Sequence, residues 1–178
     1  NYLFGDAEKA AIHINDFLIS KFQVTQQLWE YIMDNNPSHF NGQNRPVENV
    51  SFNDITQRNG FLEKLNFASG DNYKLIFRLP SETEWEYAAR GGIHWKDGFR
   101  FSGSNDMNDV GWYHQNSGKY NDPAILSQLK NHEKGTTTHN VGMKQPNQLG
   151  TFDMCGNVWE WCQDYFQRDI HKIPKDGT

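Results

Sequence analysis

The chain has 178 residues, 22 acidic against 17 basic, and a formal net charge of -5. That balance, with a pI near 5.8, argues against nucleic acid or an anionic membrane as the main partner, because both need basic surface. The length suits one domain with a real core or at most two small ones. A mean hydropathy of -0.84 beside 14% aromatic residues predicts a core built from rings under very polar loops. No apolar run reaches the roughly 20 residues of a membrane helix, and no signal peptide is expected.

From the N-terminus, the loose alternation of Ile12, Ile14, Phe17 and Ile19 predicts one or two strands within Ile12 to Phe22. Thr25 is placed to cap a helix carrying Leu28, Trp29, Ile32 and Met33 on one stripe, which Asn35-Asn36-Pro37 stops. Residues 37–50 read as a surface loop. A second helix is predicted to start at Ser51, with Asp54 as capping-box partner, and to run through Ile55, Leu62 and Leu65 across an unfavourable Gly60.

The clearest local signal is Arg78 to Gly92. Ser81 with Glu84 forms a full capping box, Trp85, Ala88 and Ala89 form the stripe to be buried, and Gly91-Gly92 closes the helix. Glu86 can pair with Arg90 at i,i+4. Residues 99–118, around Trp112 and Tyr113, read as ordered loop, and 119–138 as a surface insertion.

The stretch Leu149 to Cys162 carries turn chemistry, then alternation. As a strand it puts Trp159 and Trp161 on one face and Val158, Glu160 and Cys162 on the other. Rings of this size are rarely left exposed, so the indoles are expected to be buried and Glu160 drawn inside with them. An interior carboxylate needs a cation, a metal or several donors.

Cys155 and Cys162 are too few for a disulfide scaffold. On one extended strand they would stand about 23 Å apart, so pairing would need a sharp bend. The histidines show no zinc spacing, with His114 and His139 read as surface residues. Trp95, Phe99, Trp112 and Tyr113 are read as core or loop anchors ahead of a groove for peptide or sugar.

Four blocks, in order, then match a known pattern: Ile19 to Thr25, Pro46 to Ser51, Arg78 to Gly92 and Gly156 to Trp161. In them the chain resembles the formylglycine-generating enzyme, or sulfatase-modifying factor, family over nearly its whole length, apart from the 119–138 insertion and the tail. The resemblance implies an α+β fold: a single compact domain over 1–178, C-type-lectin-like, low in regular secondary structure, with long ordered loops. It also implies a structural calcium ion held by the side chains of Asp153 and Glu160 and the carbonyls of Gly156 and Val158. Such an all-oxygen set suits a hard cation. A second calcium site would fall near Asn108, where the match is too poor to carry over.

The family's activity is copper-dependent oxidation of a protein cysteine to formylglycine. Its copper-binding cysteine pair belongs to a C-terminal block, and Thr178 comes before any such block, so copper and cysteine oxidation are not expected on this chain. Cys155 and Cys162 stand at other positions and on opposite strand faces. Two expectations follow: an oxidative enzyme whose catalytic part lies outside this sequence, or a non-catalytic, calcium-stabilised binding or structural module with a protein or peptide ligand. A bacterial cell-envelope or secreted location would suit the second.

Overall fold

Residues 2–4, 10–70, 75–118 and 135–166 are described in a computed structural model. Capping decides where most helices begin. Thr25 accepts from the Leu28 amide and opens α1, Gln26–Met33, which ends at Asp34 in the left-handed region, one residue before the predicted breaker. Ser51 and Asp54 form a reciprocal capping box at the start of α2, Phe52–Thr56.

The helix predicted to continue from there is two helices. Gly60 breaks it and becomes the extended N-cap of α3, Phe61–Ser69. A Cβ at position 60 would lie 2.8 Å from the Gln57 carbonyl and 2.9 Å from that of Asp54, so the break needs glycine. Trp29 from α1 stacks on Phe61 from α3 at 4.8 Å, and Ile55 from α2 completes the small core.

The region expected to form strands gives one short strand at its N-terminal edge, Ala10–Ile12 (β2), paired antiparallel with Tyr2–Phe4 (β1). Residues 13–22 have no regular structure. The loop after α1 is ordered by a side chain that no periodicity marks. Gln26 is buried, donates to the carbonyls of Phe40 and Pro46, and accepts from Asn36 and the Gly42 amide.

The Arg78 to Gly92 signal becomes α4, Glu82–Ala89, with the Ser81–Glu84 box closed on both sides. Ala88 is fully buried, Trp85 and Ala89 partly so, and Glu86 pairs with Arg90 at 2.7 Å. Gly91 and Gly92 take positive φ and lead into a 3₁₀ segment, Gly92–Asp97. The ordered loop of 99–118 contains one short helix, α5, Met107–Val110. Of the insertion, residues 119–134 lie outside the described set, and a Gly118–Thr136 bridge joins its flanks.

The result is a single domain with little regular secondary structure, helices beside a two-stranded sheet, and long ordered loops. Among the described residues no helix is long and apolar enough to cross a membrane.

The Arg78 guanidinium grips both Glu84 oxygens, at 2.6 and 2.7 Å, while the Ser81 amide donates to the same carboxylate at 2.9 Å. Burial alone would raise the Glu84 pKa, but the guanidinium and that amide outweigh it and hold the carboxyl below its usual range. A depressed folded pKa means stability that is present above the unfolded value and lost as pH falls through the folded one. Glu84→Ala is therefore expected to cost about 2 kcal/mol at pH 7, tempered by the half-exposed Arg78. Urea unfolding at pH 7 and pH 3 should show the gap to wild type shrinking in acid.

Candidate functional site: an oxygen-lined turn below an apolar cleft

Residues 150–158 form a tight reversal, not the start of a strand. Gly150, Asp153, Gly156 and Asn157 all have positive φ, and each such residue turns the chain sharply. The reversal is pinned from outside. Asn157 donates its amide to the Trp112 carbonyl at 2.9 Å, while its side chain accepts from the His139 amide and donates to the His139 carbonyl. The Phe152 amide donates to Lys21 O, and the Phe22 and Phe152 rings meet at 5.1 Å, which sets residues 21–23 beside the turn.

The outcome is a cage of oxygens around one atom. Gln23 Nε2 lies 2.8 Å from Glu160 Oε1, 3.1 Å from the Gly156 carbonyl, 3.4 Å from that of Val158 and 3.5 Å from that of Asp153. All four residues singled out from the sequence thus converge on one point. Asp153 brings its main-chain carbonyl to it, not the carboxylate that the resemblance implies. Its carboxylate Oδ2 accepts from the Gly142 amide at 2.7 Å, and Oδ1 is buried with no hydrogen-bond partner among the described residues. Gln23, which completes the group, carried no sequence signal beyond being a lone polar residue between Phe22 and Val24.

The charge in this group is uncompensated among the described residues. Asp153 is 2% exposed, and burial raises its pKa against the opposing Gly142 amide. Glu160 as a residue is exposed along a cleft, but protein surrounds its carboxylate. That burial raises its pKa, the donors Gln23 and Trp85 lower it, and Asp153 raises it further. Trp85 Nε1 donates to Glu160 Oε2 at 3.1 Å, and neither carboxylate has an ion-pair partner among the described residues. The two hydrogens of Nε2 cannot serve four acceptors, and Gln23 Oε1 is itself buried without a partner among the described residues. Oxygen-rich, anionic and short of donors, the cage has the ligand chemistry of a hard divalent cation, although among the described residues no group of three or more His, Cys, Asp or Glu gathers to hold a metal.

The indoles beside Glu160 are not buried as expected. Trp159 is 99% exposed and Trp161 48%, the latter donating to the Val50 carbonyl at 3.1 Å and meeting the Phe52 ring edge-on. Without a strand the two do not share a buried face. They line a cleft of about 700 Å³ with Leu75, Ile76, Phe77 and Phe22, and Glu160 lies in its wall.

Both cysteines are free thiols. Burial, then Glu82 and Asp164, push Cys162 up to about 12, and burial raises Cys155 against the Ser102 amide that donates to its sulfur. Both are therefore protonated at neutral pH and poor soft-metal ligands. Trp112 is an anchor, stacked on His139 at 3.7 Å with Lys144 Nζ 4.2 Å from its ring centroid. His139 is half-buried in that stack, not on the surface, while His114 is exposed.

A family profile described as "Sulfatase-modifying factor enzyme 1-like domain" matches residues 2–175. The chain is 35% identical, over 86% of its length, to a protein of Paenibacillus barcinonensis named "Chaperone protein LppX", and covers 64% of that protein. It is 32% identical, over 76% of its length, to the formylglycine-generating enzyme of Thermomonospora curvata, and covers 38% of it. Thus it spans less than two thirds of either relative. Among solved structures, Treponema denticola variable protein 1 superposes with a TM-score of 0.70 at 29% identity, over 97% of this chain and 72% of that one.

Proposed function

The chain belongs to the sulfatase-modifying factor family, and from that premise we propose that it is a non-catalytic, calcium-stabilised binding module that holds an apolar segment of a protein partner. The cleft carries this reading. Rings and aliphatic side chains line it, several of them exposed, and apolar surface of this kind marks interaction sites. A relative named as a chaperone accords with an apolar protein ligand.

Calcium at the Asp153, Gly156, Val158 and Glu160 oxygens is part of the proposal. The four converging acceptors and the orphaned Asp153 Oδ1 support it. When bound, the ion would supply positive charge between two carboxylates and fix the turn under the cleft. The C-type-lectin-like character belongs to the same reading, supported by the sparse regular structure and long ordered loops. Oxidation of a protein cysteine, the activity that the name of the Thermomonospora relative indicates, is the alternative; two protonated, half-buried thiols at other positions argue against it here.

The test is a tryptophan-fluorescence titration with an extended, leucine- and phenylalanine-rich peptide in calcium buffer. Wild type is expected to bind, and Trp159→Ala to bind at least tenfold more weakly with an unchanged melting temperature, since so exposed a ring adds little to folding. Copper-dependent conversion of a cysteine peptide to its aldehyde, or equal binding by Trp159→Ala, overturns the reading.

A further inference from the structure

We propose that Gln23 is the internal substitute for the cation, so that residue 23 sets how far this turn depends on an ion at all. The inference rests on the calcium reading and goes beyond it. The point to which the four oxygens converge is occupied by the Gln23 amide nitrogen. Its distances, 2.8 to 3.5 Å, are those of N–H donation and exceed the roughly 2.3–2.6 Å of calcium–oxygen bonds. With the nitrogen inward, the amide's partial positive charge meets part of what a divalent ion would meet in full. The turn therefore keeps its shape in the ion-free protein, and an entering ion has to displace the nitrogen.

The substitution is incomplete, and this makes it exchangeable. Two amide hydrogens face four acceptors, and the outward Oε1 is buried with no partner among the described residues. Turning the amide over is nearly isosteric and brings that oxygen to the cage as a further ligand. Glutamine here thus trades affinity for tolerance of ion loss. Glutamate would do the reverse, adding charge toward the ion and leaving, without it, three anionic side chains and no donor at the point where the four oxygens converge.

Calcium calorimetry, with melts in calcium and in chelator, on wild type and Gln23→Glu tests this. The glutamate variant is expected to bind calcium at least tenfold more tightly and, in chelator, to melt below wild type. Wild-type ¹⁵N-resolved spectra supply a readout that needs no variant: the Gln23 side-chain NH₂ pair should be protected from exchange in chelator and should shift on adding calcium. Calcium binding by Gln23→Glu alone overturns the exchange of amide for ion in the wild type, and the calcium reading of this chain with it. Equal affinities, or an NH₂ pair indifferent to calcium, overturn it while leaving the calcium site standing. Calcium binding by neither protein removes the calcium reading itself, and this inference with it.

Discussion

Asn147→Ala should lower the unfolding free energy by about 4 kcal/mol, among the largest effects of any single side chain in this protein. Asn147 is buried, and its amide joins three separated segments. Nδ2 donates to the Ala88 carbonyl at 2.7 Å, at the end of α4, and to Ser102 Oγ at 3.0 Å. Oδ1 accepts from the amides of Leu149 and Thr151 and from the Thr151 hydroxyl. The Ala88 carbonyl, in the last turn of α4, also accepts from the Gly91 amide at 3.0 Å, so there Asn147 supplies a second donor. Truncation strands the buried Thr151 amide and hydroxyl, at roughly 1–3 kcal/mol for each buried group left unpaired, and removes one of two donors from the Ala88 carbonyl. Asn147→Asp should cost a similar amount, because it keeps the acceptor but turns the other oxygen on the Ala88 carbonyl. Urea unfolding measures both, with a fall in Tm of about 8–16 °C. A change below 1 kcal/mol for Asn147→Ala would show that water replaces the amide at no loss.

Asn147 also shows which parts of this fold are legible in sequence. Thr25, the Ser51–Asp54 box and the Ser81–Glu84 box act over three residues, and each starts a helix where it was predicted. Gly60 was a visible warning whose meaning, a break and a new N-cap, depended on carbonyls closing around it. The Trp159–Trp161 alternation misled because period two means a strand only if the chain is extended. The preceding Asp, Gly and Asn adopt positive φ instead, which leaves the first indole in solvent. Four residues of the cage stand close together in one local block of the resemblance, though it implies the Asp153 carboxylate where the structure brings the carbonyl. Gln23, Gln26 and Asn147 were not readable, since a buried amide is recognised by its partners. For Gln23 those partners lie 130 to 137 positions away.

Gly156→Ala is the sharpest test of the turn itself. Its φ is +147°, and a Cβ there would stand 2.1 Å from the Trp112 carbonyl oxygen and 3.0 Å from its carbon. Main chain cannot swing away as a lysine tip can. The same oxygen accepts from the Asn157 amide at 2.9 Å, and the Trp112 ring is held between His139 and Lys144. Relief must come from moving residue 156, and its carbonyl is one wall of the cage, 3.1 Å from Gln23 Nε2. The substitution is expected to cost about 4 kcal/mol, combining positive-φ strain with backbone overlap, and to abolish any rise in Tm that the proposed calcium site gives. Gly150→Ala separates the two causes. That residue also has positive φ, +79°, but a Cβ there meets nothing within 4 Å, so strain alone should cost about 1 kcal/mol and the calcium response should survive. Equal losses at the two glycines in parallel denaturant melts would place the cost in backbone conformation and leave the turn free to yield. A large loss at 156 alone ties the stability of the domain to the wall that shapes the oxygen cage.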